Sequence, residues 1–134
     1  MLDIVAGYRG APMIGRTGRR ILIVEDEMLI ALMLQGMLEA LGYHVAGRVC
    51  TVAGALAMIE TDTLGIDAAT LDINLGGEHA SAVADALNAH GIPFIITTGY
   101  DDPKLFGFHG QPVVNKPFLP EQLEQALQSL APRS

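Results

Sequence analysis

The chain has no tryptophan, a single cysteine, and only three tyrosines and four phenylalanines among its 134 residues. One thiol cannot close an internal disulfide, so the fold has to rest on its apolar core. Cys50 is expected to be a small buried hydrophobe in a reducing, cytoplasmic protein. Basic side chains are also scarce: 8 Lys and Arg against 15 Asp and Glu leave a net charge of -7. That balance opposes direct nucleic-acid binding, which needs clustered cations. No apolar run approaches the ~20 residues that span a bilayer, and no charged start, apolar stretch and cleavage site line up as a signal peptide. A phosphate-cradling glycine loop and a Ser, His, Asp nucleophile set are both missing. His44, His79, His90 and His109 are scattered without metal-ligand spacing and read as surface or loop residues.

Half of the residues are apolar, and a chain of this length favours one domain that buries about two thirds of its extended surface. Charge divides it unevenly. Residues 1–20 carry Arg9, Arg16, Arg19 and Arg20 against Asp3, while the remainder holds 4 basic and 14 acidic groups. Gly7, Gly10, Pro12, Gly15 and Gly18 puncture the basic leader, so residues 1–20 read as a flexible arm and residues 21–134 as the domain.

From Ile21 onward, short apolar runs alternate with helical ones. Ile21 to Val24 reads as a buried strand, followed by a helix with its core stripe at Ile30, Met33, Leu34, Met37, Leu38 and Leu41 and its stop at Gly42. Met28, Met33 and Met37 are expected to fill core on that helix. Tyr43 to Val49 alternates as a second strand, and Thr51 can cap a helix that buries Val52, Ala55, Leu56 and Ile59. Asp67 to Ile73 is the third strand. Gly76 and Gly77 then break the chain before an alanine-rich helix from about Glu78 to His90. Ile92 to Thr97 and Pro112 to Asn115 complete five strands. Pro120 and Glu121 open a last helix that buries Leu119, Leu123, Leu127 and Leu130. Such alternation implies an α/β class, with right-handed crossovers, a parallel sheet and helices on both faces. Between Tyr100 and Gln111 the periodic signal is thin, so a fourth helix there is short or missing.

Ligands of open parallel sheets bind at the carboxyl ends of the strands, where strand order reverses. The polar residues collect there: Glu25 and Asp26 end strand one, Asp72 ends strand three, Thr98 follows strand four and Lys116 follows strand five. Singly, an acid after a strand is often a helix cap, and Lys116 a solvated charge. Together they converge on one crevice. Carboxylates packed there repel by about 4 kcal/mol per pair at 4 Å and an effective dielectric near 20, so cations must compensate. Lys116 supplies one charge, and a hard divalent ion with oxygen ligands, Mg²⁺, suits the rest. Asp72, ionised at neutral pH, is then available as a nucleophile toward a phosphoryl group, with the Thr98 hydroxyl and Lys116 stabilising its oxygens. The chemistry reads as reversible aspartyl phosphorylation.

The segments Ile-Leu-Ile-Val-Glu25-Asp26-Glu27, Leu-Asp72-Ile-Asn74-Leu, Thr98-Gly99 and Lys116-Pro117-Phe118 resemble the receiver domain of bacterial two-component response regulators over residues 21 to about 131. Ile96-Thr97-Thr98-Gly99-Tyr100, Leu75-Gly76-Gly77-Glu78 and Ile92-Pro93-Phe94 are similar to stand-alone receivers named for a Phe-Ala-Thr-Gly signature. The resemblance implies a flavodoxin-like sheet of order 2-1-3-4-5 and phosphoryl transfer from a histidine kinase or phosphotransfer protein to Asp72. It also implies Asp26 as a direct Mg²⁺ ligand, Glu25 as a second acid acting largely through water, and Asn74 as a backbone-carbonyl ligand. Lys116-Pro117 is a candidate cis bond, because only X-Pro makes that form cheap. Signalling would run through protein contacts, not turnover of a substrate.

Two departures stand out. Most receivers carry an aromatic three residues before the lysine, where this chain has Val113; Tyr100 is the nearest aromatic candidate to replace it. The second departure is the meagre fourth helix, and residues 101–111 are expected to be mobile and to order on phosphorylation or partner binding. Opposite the core stripe of the first helix, Leu29, Leu32, Gly36 and Ala40 form a second apolar line. It suits a second copy of the chain in a homodimer, a kinase's helix, or Leu2, Ile4, Val5 and Ile14 of the arm. Two rivals remain open: a phosphorylation-independent binding module of the same fold, and a small phosphatase. The phosphatase would need an acid two residues after Asp72, and Asn74 cannot protonate a leaving group.

Overall fold

The computed structural model describes residues 18–62, 65–99, 108 and 110–133. Its elements are β1 (Arg20–Val24), α1 (Met28–Ala40), β2 (His44–Val49), α2 (Val52–Glu60), β3 (Ala68–Asp72), β4 (Asn74–Leu75), β5 (Glu78–His79), α3 (Ser81–Ala89), β6 (Phe94–Thr98), β7 (Val113–Asn115) and α4 (Pro120–Gln128). Five parallel strands pair in the order β2-β1-β3-β6-β7, which is 2-1-3-4-5 counting those five alone. This is the expected flavodoxin-like order. Strand order reverses between β1 and β3, where a ligand crevice opens.

Alternation along the strands divides the core into two layers. Leu22, Val24, Ala69, Leu71 and Ile96 face Ala55 and Ile59 of α2 and Val83 and Leu87 of α3. Ile21, Ile23, Ala68, Ile95 and Val114 face Leu34 and Leu38 of α1 and Leu123 and Leu127 of α4. Strands β3 and β6 are buried at every position, the near-continuous apolar run of a strand covered on both faces. Each large aliphatic taken out of water there contributes roughly 1.5–3 kcal/mol.

Local signals set the helix ends. The Thr51 hydroxyl accepts from Gly54 N–H at 2.9 Å at the start of α2, and Pro120 occupies the first turn of α4 with Glu121 beside it. Gly42, at φ 97°, turns the chain out of α1 as only glycine does easily. The peptide Lys116-Pro117 is cis.

Several expectations are corrected. Cys50 is exposed, because it lies past the end of β2 in the turn before α2 and no helix covers it. Met28 and Met33 are 56% and 49% exposed; Ala31, Leu34 and Leu38 are the buried positions of α1, so the stripe is rotated away from Met33. Leu119 is 52% exposed as the N-cap of α4, and Leu130 is only partly buried. The alanine-rich helix starts at Ser81, because Glu78 and His79 pair back onto Asn74 and Leu75 as an antiparallel hairpin. Its turn, Gly76-Gly77, has φ 59° and 87°, the double positive φ of a mirror-image turn. The sheet begins at Arg20, and Arg19 is also part of the fold, donating to Leu127 O and Leu130 O at 3.3 and 3.2 Å. The rest of the arm through residue 17, Tyr100, His109 and most of the segment 101–111 lie outside the described residues. No described helix is long and apolar enough to cross a membrane.

Thr51→Ala removes the one side-chain cap of α2 and should lower stability by about 1 kcal/mol. Urea unfolding measures this, with an unchanged slope showing that the native fold persists.

Candidate functional site

The strand ends meet because the parallel register is in step. Val24 pairs with Leu71, Asp72 with Thr97, and Thr98 with Asn115. Glu25 and Asp26 therefore leave β1 beside Asp72, the last residue of β3, and Thr98 is the last residue of β6 and not the one after it. Lys116 leaves β7 with its N–H on Thr98 O at 2.8 Å, which fixes the lysine backbone next to the threonine. Glu25 N–H donates to Val49 O at 3.0 Å. All six residues singled out from sequence come together here. Glu25, Asp72 and Thr98 are buried, at 2%, 5% and 2% exposure. Asp26, Asp72, Asn74, Thr98 and Lys116 line a cavity of about 310 Å³, with Glu27 and Gly99 at its wall.

One carboxylate oxygen from each of Glu25, Asp26 and Asp72 lies within 4.8 Å of the others. Lys116 Nζ bridges two of them, 2.9 Å from Glu25 Oε1 and 3.0 Å from Asp72 Oδ2. Among the described residues it is the only cation within ion-pair distance of the cluster. Burial lifts Glu25 to about 7; the Lys116 ammonium opposes the rise, neighbouring Asp72 adds to it, and Glu27 N–H, which donates to Glu25 Oε2, opposes it. Asp26, nearer the surface, lies below the usual carboxylate range: partial burial pushes upward, but the N–H of Gly76 and hydrogen bonds with Glu25 and Asp72 outweigh it. Lys116 is raised, since burial, which would lower it, is outweighed by Glu25 and Asp72.

Three acids against one ammonium leave uncompensated negative charge around an oxygen-only donor set open to a cavity. The residues present fit a hard dication such as Mg²⁺.

Sequence reasoning missed the role of the loop after β3. Asn74 N–H donates to Asp72 Oδ1 at 3.1 Å, Gly76 N–H to Asp26 Oδ2 at 3.0 Å, and Gly77 N–H to the Asn74 side-chain oxygen at 3.2 Å. Gly76-Gly77 was legible as a turn, but nothing in residue order announces that the Gly76 amide closes on an acid 50 positions earlier. Phe108, placed in a stretch with little periodicity, is nonetheless buried. Val113, where an aromatic was absent, is 44% exposed on β7.

Residues 21–128 match the family described as the response regulator receiver domain. The chain is 33% identical over 110 residues to the Phyllosphere-induced regulator PhyR of Methylorubrum extorquens, covering 80% of this chain and 41% of PhyR. It is 33% identical over 111 residues to YbdJ of Bacillus subtilis, an uncharacterized transcriptional regulatory protein, covering 79% of this chain and 48% of YbdJ. It thus spans less than half the length of these curated relatives. Among solved structures, SdrG of Sphingomonas melonis Fr1 is 49% identical at TM-score 0.71, covering 84% of this chain and 95% of SdrG. The receiver domain of Erythrobacter litoralis PhyR is 29% identical at TM-score 0.71, covering 83% and 88%. With the fold, the aligned strand ends and these similarities together, the chain belongs to the response regulator receiver domain family of two-component signalling.

Proposed function

We propose that this domain accepts a phosphoryl group on Asp72 from the phosphohistidine of a histidine kinase or phosphotransfer protein, and signals through protein contacts that depend on that modification. The observation that carries the reading is the Glu25, Asp26, Asp72 cluster bridged by Lys116 at the switch point of the sheet. Asp72 is the only one of the three acids that ends a central strand. An oxygen of its carboxylate forms the new O–P bond as the N–P bond breaks, and the electron pair stays on the departing imidazole nitrogen. Lys116, now on Asp72 Oδ2, turns to the incoming phosphoryl oxygens, and the buried Thr98 hydroxyl donates to another. Mg²⁺, held by Asp26, Asp72 and the Asn74 carbonyl with Glu25 acting through water, would neutralise the charge between the carboxylates and the phosphoryl group. Receiver domains are generally signalling modules without turnover of an outside substrate, and this chain's chemistry is proposed to stop at its own phosphorylation and dephosphorylation.

The protein contact is proposed to use α1. Leu29 and Leu32 are 82% and 45% exposed, and Gly36 and Ala40 continue the line on the exposed side. An apolar face of this kind suits a helix of the kinase; a second copy of the chain is the competing occupant.

Acetyl phosphate with Mg²⁺ should add the mass of one phosphoryl group, and Asp72→Asn should abolish the addition. No added mass on the wild type would favour a phosphorylation-independent binding module. Leu32→Asp should keep labelling by acetyl phosphate but lose transfer from a phosphorylated kinase. Unchanged transfer together with an unchanged mass by light scattering would remove α1 as a contact surface.

A pH dependence follows from Glu25. Between about pH 4.5 and 7 the folded protein holds a proton that the unfolded chain has released, so Glu25's contribution to stability falls as pH rises through that window. A dication favours the ionised form and offsets the loss. The rise in Tm produced by Mg²⁺ should therefore be larger at pH 8 than at pH 6, and equal rises would contradict this assignment.

A further inference from the structure

The β4–β5 hairpin touches both the carboxylates and a buried residue of the β6–β7 connection. A two-stranded ribbon alone is marginal in water, so its position depends on what holds each of its strands. On the β4 side and the turn, Asn74 N–H lies on Asp72 Oδ1 and Gly76 N–H on Asp26 Oδ2, at 3.1 and 3.0 Å. On the β5 side, opposite Asn74, the imidazole of His79 stacks on Phe108, with ring centroids 5.5 Å apart and planes 10° from parallel. Ser81 N–H donates to His79 Nδ1 at 3.1 Å, tying the ring to the start of α3. Phe108 is 7% exposed and packs in the core layer that also holds Leu75.

The hydrogen bonds from Asn74 and Gly76 end on carboxylates and are charge-assisted, so their strength follows the charge on Asp26 and Asp72. A cation or phosphoryl group arriving on those oxygens draws charge from the bonds and changes how firmly the hairpin is held. A shift of the hairpin then reaches the ring that lies on Phe108.

We propose that His79 is a positioning residue: its stack on Phe108 holds the β4–β5 hairpin against Asp26 and Asp72 and links the state of those carboxylates to the surroundings of Phe108. The link rests on the phosphoreceiver reading for its signalling use, while its mechanical part needs only a cation at the acids.

The test uses the full chain as wild type, His79→Ala, His79→Gln and His79→Phe, titrated first with Mg²⁺ alone and then with beryllofluoride. Selectively labelled phenylalanine rings, with Phe108 assigned through Phe108→Leu, report the far end, and the amides of Asp72 and Lys116 report the site. Loss of the stack should weaken Mg²⁺ binding about tenfold, the lower end of what loss of a group supporting a ligand from outside the coordination sphere costs. It should also remove most of the Phe108 ring shift that Mg²⁺ produces in the wild type. His79→Phe, which keeps a flat ring, should restore both, and His79→Gln supplies the loss variant should alanine impair folding. The proposal is overturned if the loss variants keep Mg²⁺ affinity within about twofold of wild type and the full ring shift, or if His79→Phe restores neither. Normal Mg²⁺ effects at both ends with no response to beryllofluoride would defeat the phosphoreceiver reading and support the link alone.

Discussion

The ammonium of Lys116, set between Glu25 and Asp72 at 2.9 and 3.0 Å, is the contact on which the site depends. Burial lifts Glu25 to about 7 even against the pull of that lysine, and neighbouring Asp72 adds to the rise. Three acids around one ammonium are an imbalance that favours more positive charge. It makes the crevice receptive to a dication and, through it, to an anionic group that the same acids would otherwise repel.

The sheet exists to hold that imbalance in place. Four parallel strands end at one level because β1, β3, β6 and β7 pair in step, and two apolar layers keep them there. The backbone supplies the rest: the Thr98 carbonyl anchors Lys116, and the amides of Asn74 and Gly76 brace Asp72 and Asp26. Side chains carry the charge, while backbone geometry decides where each charge stands.

Residue order disclosed much of this. Runs such as Ile21 to Val24 and the spaced leucines of α1 and α4 carry their own periodicity, so strands and helices were legible without tertiary contacts. The acids, Thr98 and Lys116 were legible as a site because parallel strands must send their carboxyl ends to one edge. What failed was the degree of burial at several positions and the start of one helix. Met33 fits the stripe of α1 by spacing, yet the helix is rolled so that Ala31 and Leu34 take the sheet side. Cys50 is apolar by type but sits in a turn, and its exposure is set by what happens not to cover it. Glu78 and His79 look helical next to alanines, yet pairing with Asn74 and Leu75 wins over weak local preference.

By itself the sequence determined the α/β alternation, the acidic character of the domain, and which residue types could serve a phosphoryl group, since these follow from chemical identity and short-range spacing. Only the tertiary structure decided the lysine bridge, the Gly76 amide on an acid 50 residues away, and the stack of His79 on Phe108. Those contacts join segments far apart along the chain, and their distances are the outcome of packing two layers against one twisted sheet, a global balance that no local stretch of residues contains.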